Sequence, residues 1–171
     1  MVVLCTCGDS LAQAVDLEGF ETTVSALHSV SQVHRIERIC TQEGWGQLEE
    51  MFNGSEANRL LIGACLPYVY TKKLRELGKT TGLNPALMEV VDICTPAFPN
   101  QNSDPEKVSQ EIRTTIAMGV GKVKGMEPAS QAAIAVNQKA LVVGGGIGGM
   151  SAALAIADHG FGVNLVEKED E

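Results

Sequence analysis

A run of glycines near residue 145 constrains the fold of this chain more than any other segment. Residues 139–171 read KALVVGGGIGGMSAALAIADHGFGVNLVEKEDE. A short apolar strand is predicted at 140–143, a helix at 150–159, and a second strand at 163–166. Glycines fill the connection between the first strand and the helix in the pattern G-x-G-x-x-G. This order is typical of a dinucleotide-binding βαβ unit.

Each member of this glycine pattern has a separate physical task. Gly144 permits a tight turn, Gly146 lets a pyrophosphate approach the helix N-terminus, and Gly149 allows the helix to pack closely on the strand. Glu167 follows the second strand, about 20 residues after the loop, where an acid can accept from a ribose hydroxyl. Two other interpretations are a glycine turn used for packing alone and a membrane helix with a GxxxG face. The candidate cofactor contacts are Gly144, Gly145, Gly146, Ile147, Gly148, Gly149 and Glu167.

The preceding part of the chain alternates strand-like and helix-like segments. Apolar or alternating runs predict strands at 2–5, 33–39, 59–64 and 87–93. Amphipathic segments between them predict crossover helices, and Asp104-Pro105-Glu106 predicts the start of a further helix that runs to about Lys124. Four strands, each followed by a helix, predict a small open parallel sheet with flanking helices.

A cysteine lies at or just beyond the end of each predicted strand. Carboxyl ends of parallel strands share one edge of a sheet, so these thiols can meet there. Soft sulfur ligands in one place suit zinc or an iron–sulfur cluster. An alternative interpretation is that each of these cysteines, considered singly, is a small apolar residue buried in the core. The predicted metal ligands are Cys7, Cys40, Cys65 and Cys94, with Cys5 as the reserve ligand.

Charge and composition exclude several other classes of protein. The chain has 171 residues, 13 Lys and Arg against 21 Asp and Glu, and 4% aromatic residues. This leaves neither the basic surface nor the stacking platforms expected of a nucleic-acid-binding protein. The first residues, MVVLCTCGDS, lack the basic and apolar regions of a secretory signal. Five cysteines without such a signal predict a reducing, cytoplasmic setting, and the uncharged stretch 140–157 is better explained by the glycine loop than by a transmembrane segment.

These motifs together resemble the A-subunit family of heterodisulfide reductase, a family of iron–sulfur flavoproteins. The resemblance rests on CTCG at 5–8, ICTQEGWGQ at 39–47, GACLP at 63–67 and GLNPALMEVVDIC at 82–94. Its most specific part is KALVVGGGIGGMSAALAIADHGFGVNLVEKE at 139–169. The resemblance extends over essentially the whole chain and identifies it as an N-terminal fragment of that family.

The resemblance implies an electron-transfer function. It implies that the cysteine-bearing domain holds a [4Fe–4S] cluster, that the glycine loop holds FAD, and that electrons pass between them and partner redox subunits. The resulting domain prediction is an α/β domain at 1–126, a linker at 127–138, and at 139–171 the truncated first βαβ unit of a Rossmann-type FAD-binding domain. Such a chain is not expected to be catalytically complete by itself, and another chain would complete the FAD domain. The alternative is a non-catalytic docking module whose cysteines are structural or bind zinc.

Overall fold

The structure, a computed structural model, describes residues 1–97, 104–130 and 135–169. The chain divides into two compact units, Met1–Ser130 and Gln131–Glu171. Part of the predicted linker, residues 131–134, and the last two residues of the predicted nucleotide-binding unit lie outside the described residues.

A four-stranded parallel sheet forms the centre of the first unit. Its strands are β1 (Val2–Cys5), β2 (Val33–Ile36), β3 (Leu60–Ala64) and β4 (Met88–Asp92), in the order β2-β1-β3-β4. Every residue of β1 and β3 is buried, as expected for central strands that have helices on both faces. The predicted small parallel sheet is therefore confirmed, and its carboxyl edge carries the ends of all four strands.

Five helices connect and cover these strands. They are α1 (Ser10–Ala14), α2 (Leu17–Ser25), α3 (Gln42–Asn53), α4 (Thr71–Thr81) and α5 (Pro105–Gly125). Asp16, Thr41 and Asp104 cap α2, α3 and α5 with side-chain oxygens that accept from backbone N–H groups of the first turn. Such caps satisfy donors that have no partner within the helix, which fixes where each helix begins.

Two contacts anchor the long helix α5 to the sheet. Its buried residues Ile112 and Ile116 face the core, and the Cδ1 of Ile116 lies 3.1 Å from where a Cβ on Gly63 would be. At its C-terminal end, the Arg59 guanidinium donates to the carbonyl oxygens of Val123, at 3.0 Å, and Met126, at 3.1 Å. The last carbonyls of the helix are therefore satisfied by a residue next to β3.

The second unit is a single βαβ element. It comprises β5 (Lys139–Val143), α6 (Ile147–Asp158) and β6 (Gly162–Val166), and the two strands pair in parallel. No residue of α6 is buried, and Leu141 and Val143 of β5 are both well exposed. The predicted strand, glycine loop, helix and strand are all present in this unit.

Candidate functional site at the carboxyl edge of the sheet

The end of β1 turns sharply and carries two cysteines. Cys5 is the last strand residue and is only 1% exposed. Cys7 and Gly8 follow with left-handed backbones, at φ 51° and 66°. The Gly8 N–H donates to the Glu37 carbonyl oxygen at 3.1 Å, which ties this turn to the end of β2. The strand therefore keeps Cys5 in the core while the turn exposes part of Cys7.

The end of β4 brings a third cysteine to the same place. The Ile93 N–H donates to the Ala64 carbonyl oxygen at 2.9 Å, so the chain stays beside β3 for one residue beyond the strand. Cys94 comes next and is fully buried. Its thiol donates to the Cys5 carbonyl oxygen at 3.6 Å. Residues far apart in sequence thus meet at the shared edge where parallel strands end.

Three sulfur atoms form a close group at this edge, which we call the thiol group. The Sγ atoms of Cys5, Cys7 and Cys94 all lie within 4.8 Å of one another. The Sγ atoms of Cys5 and Cys7 are 3.9 Å apart. This spacing suits thiolates that share one metal ion. The thiolates that hold a cubane lie roughly 6–7 Å apart, so these three sulfur atoms would spread to bind one.

The three thiols of the group differ in acidity. The Cys94 thiol also acts on the Cys5 side chain, and this side-chain hydrogen bond lowers the pKa of Cys5 despite burial. Burial raises the pKa of Cys7 to about 12. The pKa of Cys94 is raised, chiefly because its thiol donates to Cys5 and its proton is therefore held. Cys5 is thus the thiol on which negative charge is best stabilised, and thiolates are the form that binds metals.

The other two cysteines approach this edge from neighbouring strands but lie outside the thiol group. Cys65 follows β3 directly, is half-buried, and its charge acts on Cys7 and raises the pKa of that thiol further. Cys40 is exposed and comes just before the cap of α3. Its carbonyl oxygen accepts from the Lys73 ammonium at 3.2 Å. Cys65 thus lies at the edge as the residue that follows β3, and the Lys73 contact ties the Cys40 backbone to α4.

An aromatic pair closes the same edge. Tyr70 is only 1% exposed, and its ring stacks on Trp45 with centroids 6.0 Å apart and planes inclined by 16°. The Lys73 ammonium lies 5.0 Å from the centre of the Trp45 ring, a distance typical of a cation–π contact. Among the described residues, the Tyr70 hydroxyl has no hydrogen-bond partner. Burial raises the pKa of Tyr70, and charge on Cys65, Cys5 and Cys40 raises it further.

The structure thus divides the predicted ligands into two sets. Cys7 and Cys94 lie in the thiol group together with the reserve ligand Cys5, whereas Cys65 and Cys40 lie outside that group. The donor set fits a thiophilic metal group because it is all sulfur, closely spaced, and accompanied by a buried hydroxyl without a partner among the described residues. Sequence reasoning missed Tyr70, although its place after Cys65 at the predicted start of a helix was visible.

The glycine loop of the second unit has the geometry that its sequence predicts. Gly144 has φ +106°, and its N–H donates to the Val166 carbonyl oxygen at 2.8 Å. A Cβ on Gly149 would overlap the carbonyl oxygen of Gly144, whereas one on Gly148 would meet open space. Gly146 lies just before the first turn of α6 and has no side chain that could cap the N–H groups of that turn. These donors are therefore available to an anionic ligand.

Glu167 lies against this loop. Its carboxylate accepts from the N–H groups of Gly145 and Lys168, and the bond from Gly145 is the main cause of its lowered pKa. Ile147, which begins α6, is 83% exposed. The predicted loop residues and the acid are thus adjacent at one end of the two-stranded sheet. No helix in the part of the chain that the structure describes has the length and apolarity needed to cross a bilayer.

Comparisons with known proteins match both units. The FAD binding domain family matches residues 139–171. Over 98% of its length the chain is 30% identical to the A subunit of the ferredoxin/F(420)H(2)-dependent CoB-CoM heterodisulfide reductase of Methanosarcina acetivorans. It is 31% identical to the first of two iron-sulfur A subunits of the CoB–CoM heterodisulfide reductase of Methanopyrus kandleri, again over 98% of its length. The chain spans 21% and 25% of the length of these two relatives.

A third relative belongs to a differently named complex. The chain is 29% identical, over 98% of its length, to the A subunit of the H(2):CoB-CoM heterodisulfide,ferredoxin reductase of Methanothermobacter thermautotrophicus. It spans 25% of the length of that relative. All three matches therefore cover nearly the whole of this chain and about a quarter or less of the longer protein.

Proposed function

Because this chain matches the A-subunit family of heterodisulfide reductase along nearly its whole length, which bears out the resemblance carried by its motifs, we propose that it is an electron-transfer module. It relays electrons between FAD and a [4Fe–4S] cluster within an anaerobic redox complex. The observation that carries this proposal is the thiol group at the carboxyl edge of the sheet, where parallel α/β folds bind their ligands.

We propose that residues 1–126 form the cluster-binding domain. Its ligands are Cys7, Cys65 and Cys94, together with one of Cys5 and Cys40. Cys5 already lies within the thiol group and is its most acidic member, while Cys40 is exposed and easily moved. A cluster held by these residues would supply one-electron redox chemistry, and Cys5 and Cys94 are buried, so water would be kept from their thiols.

Residues 139–171 are proposed to begin the FAD site, after a linker at 127–138. The N–H groups at Gly145, Gly146 and the first turn of α6, including Ile147 and Gly148, face the pyrophosphate. Gly144 permits the tight turn with its positive φ, and Gly149 allows the helix to pack closely on the strand, because it has no room for a Cβ. Glu167, which now accepts from the Gly145 N–H, would be the residue that accepts from a ribose hydroxyl of the bound cofactor.

The wider assembly is also part of the proposal. The names of the relatives describe subunits of heterodisulfide reductase complexes, so we propose that other redox subunits are partners of this module. The exposed apolar faces of the second unit call for additional polypeptide to complete the FAD domain. Five cysteines without a disulfide agree with a reducing cytoplasm.

Anaerobic purification followed by metal analysis tests the proposed cluster. We expect a brown protein with broad visible absorbance and about four iron and four sulfide per chain, as a cubane requires. A colourless protein that holds zinc, or no metal after iron–sulfur reconstitution, would contradict the electron-transfer function and favour the docking module instead.

Single serine substitutions at the five cysteines test the ligand set. Cys7→Ser, Cys65→Ser and Cys94→Ser should each lower the iron content severely, because serine is a poor ligand for this cluster. Of Cys5→Ser and Cys40→Ser, one should lower the iron content and the other should leave it unchanged, which makes each the control of the other. Full iron content in the Cys7 or Cys94 variant would refute the proposed set.

A further inference from the structure

The buried hydroxyl of Tyr70 is unexplained by the fold. Its side chain is 1% exposed, and its oxygen finds no hydrogen-bond partner among the described residues. Native proteins rarely leave a buried polar atom unpaired, so such an atom calls for a partner that is not part of the polypeptide. The Cys65 side chain approaches this hydroxyl without completing a hydrogen bond, and charge on Cys65, Cys5 and Cys40 acts on it.

Contacts away from the hydroxyl fix the position of the Tyr70 ring. Trp45 of α3 stacks on it, and Lys73 of α4 covers the Trp45 ring while donating to the Cys40 carbonyl oxygen. The ring is therefore stacked on α3 at the start of α4, while its hydroxyl lies near the cysteines. A packing role alone would be served as well by phenylalanine, which has the same ring and no polar atom to bury.

We propose that Tyr70 is a positioning residue that donates a hydrogen bond from its hydroxyl to a sulfur atom of the bound cluster, and that this bond favours the reduced state. The inference rests on the proposed function. Reduction adds one electron and no proton, so negative charge on the cluster sulfurs increases. A donor aimed at sulfur stabilises the more negative state, and hydrogen bonds to the sulfurs are among the factors that set cluster potentials.

The test compares the midpoint potential of the reconstituted full chain with that of Tyr70→Phe. We expect the reduced-to-oxidised ratio at a given potential to fall about tenfold in Tyr70→Phe, which corresponds to a potential about 59 mV lower for one electron. The matched control is Tyr68→Phe, on the same turn, because Tyr68 is 74% exposed and its hydroxyl faces water. An unchanged potential in Tyr70→Phe, or an equal shift in both variants, would overturn the inference.

A second measurement changes the donor strength without removing it. The chain has two tyrosines, so in Tyr68→Phe a fluorinated tyrosine incorporated globally labels position 70 alone. Fluorination makes the hydroxyl a stronger donor, and we expect the midpoint potential to rise, opposite to Tyr70→Phe. A potential that falls or stays constant would contradict hydrogen-bond donation.

Melting of the metal-free protein separates this role from a structural one. The hydroxyl has no partner there among the described residues, so Tyr70→Phe should melt at the same temperature as the parent chain or higher. A lower melting temperature would mean that the hydroxyl stabilises the polypeptide itself, against the inference.

If the parent chain takes up no iron, the proposed function fails. If it takes up iron and Tyr70→Phe has the parent potential, this inference alone fails.

Discussion

Two residues at the carboxyl edge of the sheet adopt backbone conformations that their side chains disfavour. Cys7 has φ 51° and Leu66 has φ 45°, both in the left-handed region. The cost for a residue with a Cβ is about 1–2 kcal/mol. Each lies next to a cysteine-bearing strand end, and strained residues concentrate where a site must be held in a particular shape. Two of the three non-glycine residues with a positive φ in the described ranges therefore lie at the edge that carries the thiol group, and the third, Ser29, lies ahead of β2.

Replacing Leu66 by glycine should release part of this strain. Glycine adopts a positive φ without steric cost, but it loses about 0.5–1 kcal/mol of chain entropy and the packing of the half-exposed leucine side chain. Val69→Gly is the matched control, since Val69 is similarly exposed and lies in the right-handed turn Pro67–Tyr70. We expect Leu66→Gly to lose about 1 kcal/mol less stability than Val69→Gly, because only Leu66 is relieved of a positive φ. Urea unfolding measures both variants, and an equal or larger loss in Leu66→Gly would contradict the strain.

At the scale of single residues, the sequence predicted which cysteines lie at the carboxyl edge of the sheet, but not which of their sulfur atoms come together. It located a cysteine at each strand end, because apolar runs and following turns are visible in the chain. It favoured Cys7 over Cys5, because a loop residue can reach outward. The structure keeps Cys5 in the thiol group, since the hydrogen bond from Cys94 and the sharp turn at Cys7 are tertiary features. A shift of one residue at a strand end changes the face that a side chain occupies.

Among the elements, α3 makes a very close approach to a neighbouring segment. A Cβ on Gly44 would overlap the Arg38 carbonyl oxygen, and the Gly44 N–H is capped by Thr41 at 3.0 Å. The first turn of α3 therefore packs directly on the backbone that leads to Cys40. Two positions further, a Cβ on Gly46 would meet open space.

These two glycines of α3 should respond to alanine in opposite directions. Gly44→Ala should destabilise the first unit by about 1–3 kcal/mol, because backbone must move to admit the methyl group. Gly46→Ala should stabilise it by about 0.5–1 kcal/mol, because alanine is the better helix former. Thermal or urea unfolding of both variants measures the difference. Equal effects would mean that the close approach at Gly44 does not limit packing.

The existence and order of the elements were predictable, whereas several boundaries were not. The crossover helix predicted between the third and fourth strands is in fact a 3-10 turn at Pro67–Tyr70 followed by α4, which continues to Thr81. The predicted strand 33–39 ends at Ile36. Hydrophobic spacing does not distinguish a 3-10 turn from the first turn of an α-helix, and a strand ends where its neighbours end. The start of α5 was predictable because Asp104 and Pro105 are local signals.

The two units of the molecule differ in how much apolar surface they bury. The strands β1 and β3 are buried throughout, whereas Ile147 and Leu154 of α6 are 83% and 66% exposed. Two strands and one helix bury too little surface for independent stability, which usually requires at least a third strand or further packing. The sequence predicted this unit as incomplete because its motif occupies so few residues.

Hydrogen exchange of the chain by itself should reveal this difference. We expect the amides of β1 and β3 to be protected nearly to the free energy of global unfolding, and those of β5, β6 and α6 to exchange with little protection. The contrast follows from burial, since both units have complete strand pairing. Comparable protection in the two units would show that the βαβ element is stable without further polypeptide.

The stacked ring of Trp45 is an intrinsic fluorescence probe of this edge of the sheet. It is the single tryptophan of the chain, and it lies against the tyrosine whose hydroxyl is among the cysteines. A coloured group arriving at this edge would absorb the light that the indole emits and dim it. Arrival and departure of such a group could therefore be timed by emission alone, without a dye and without altering a residue.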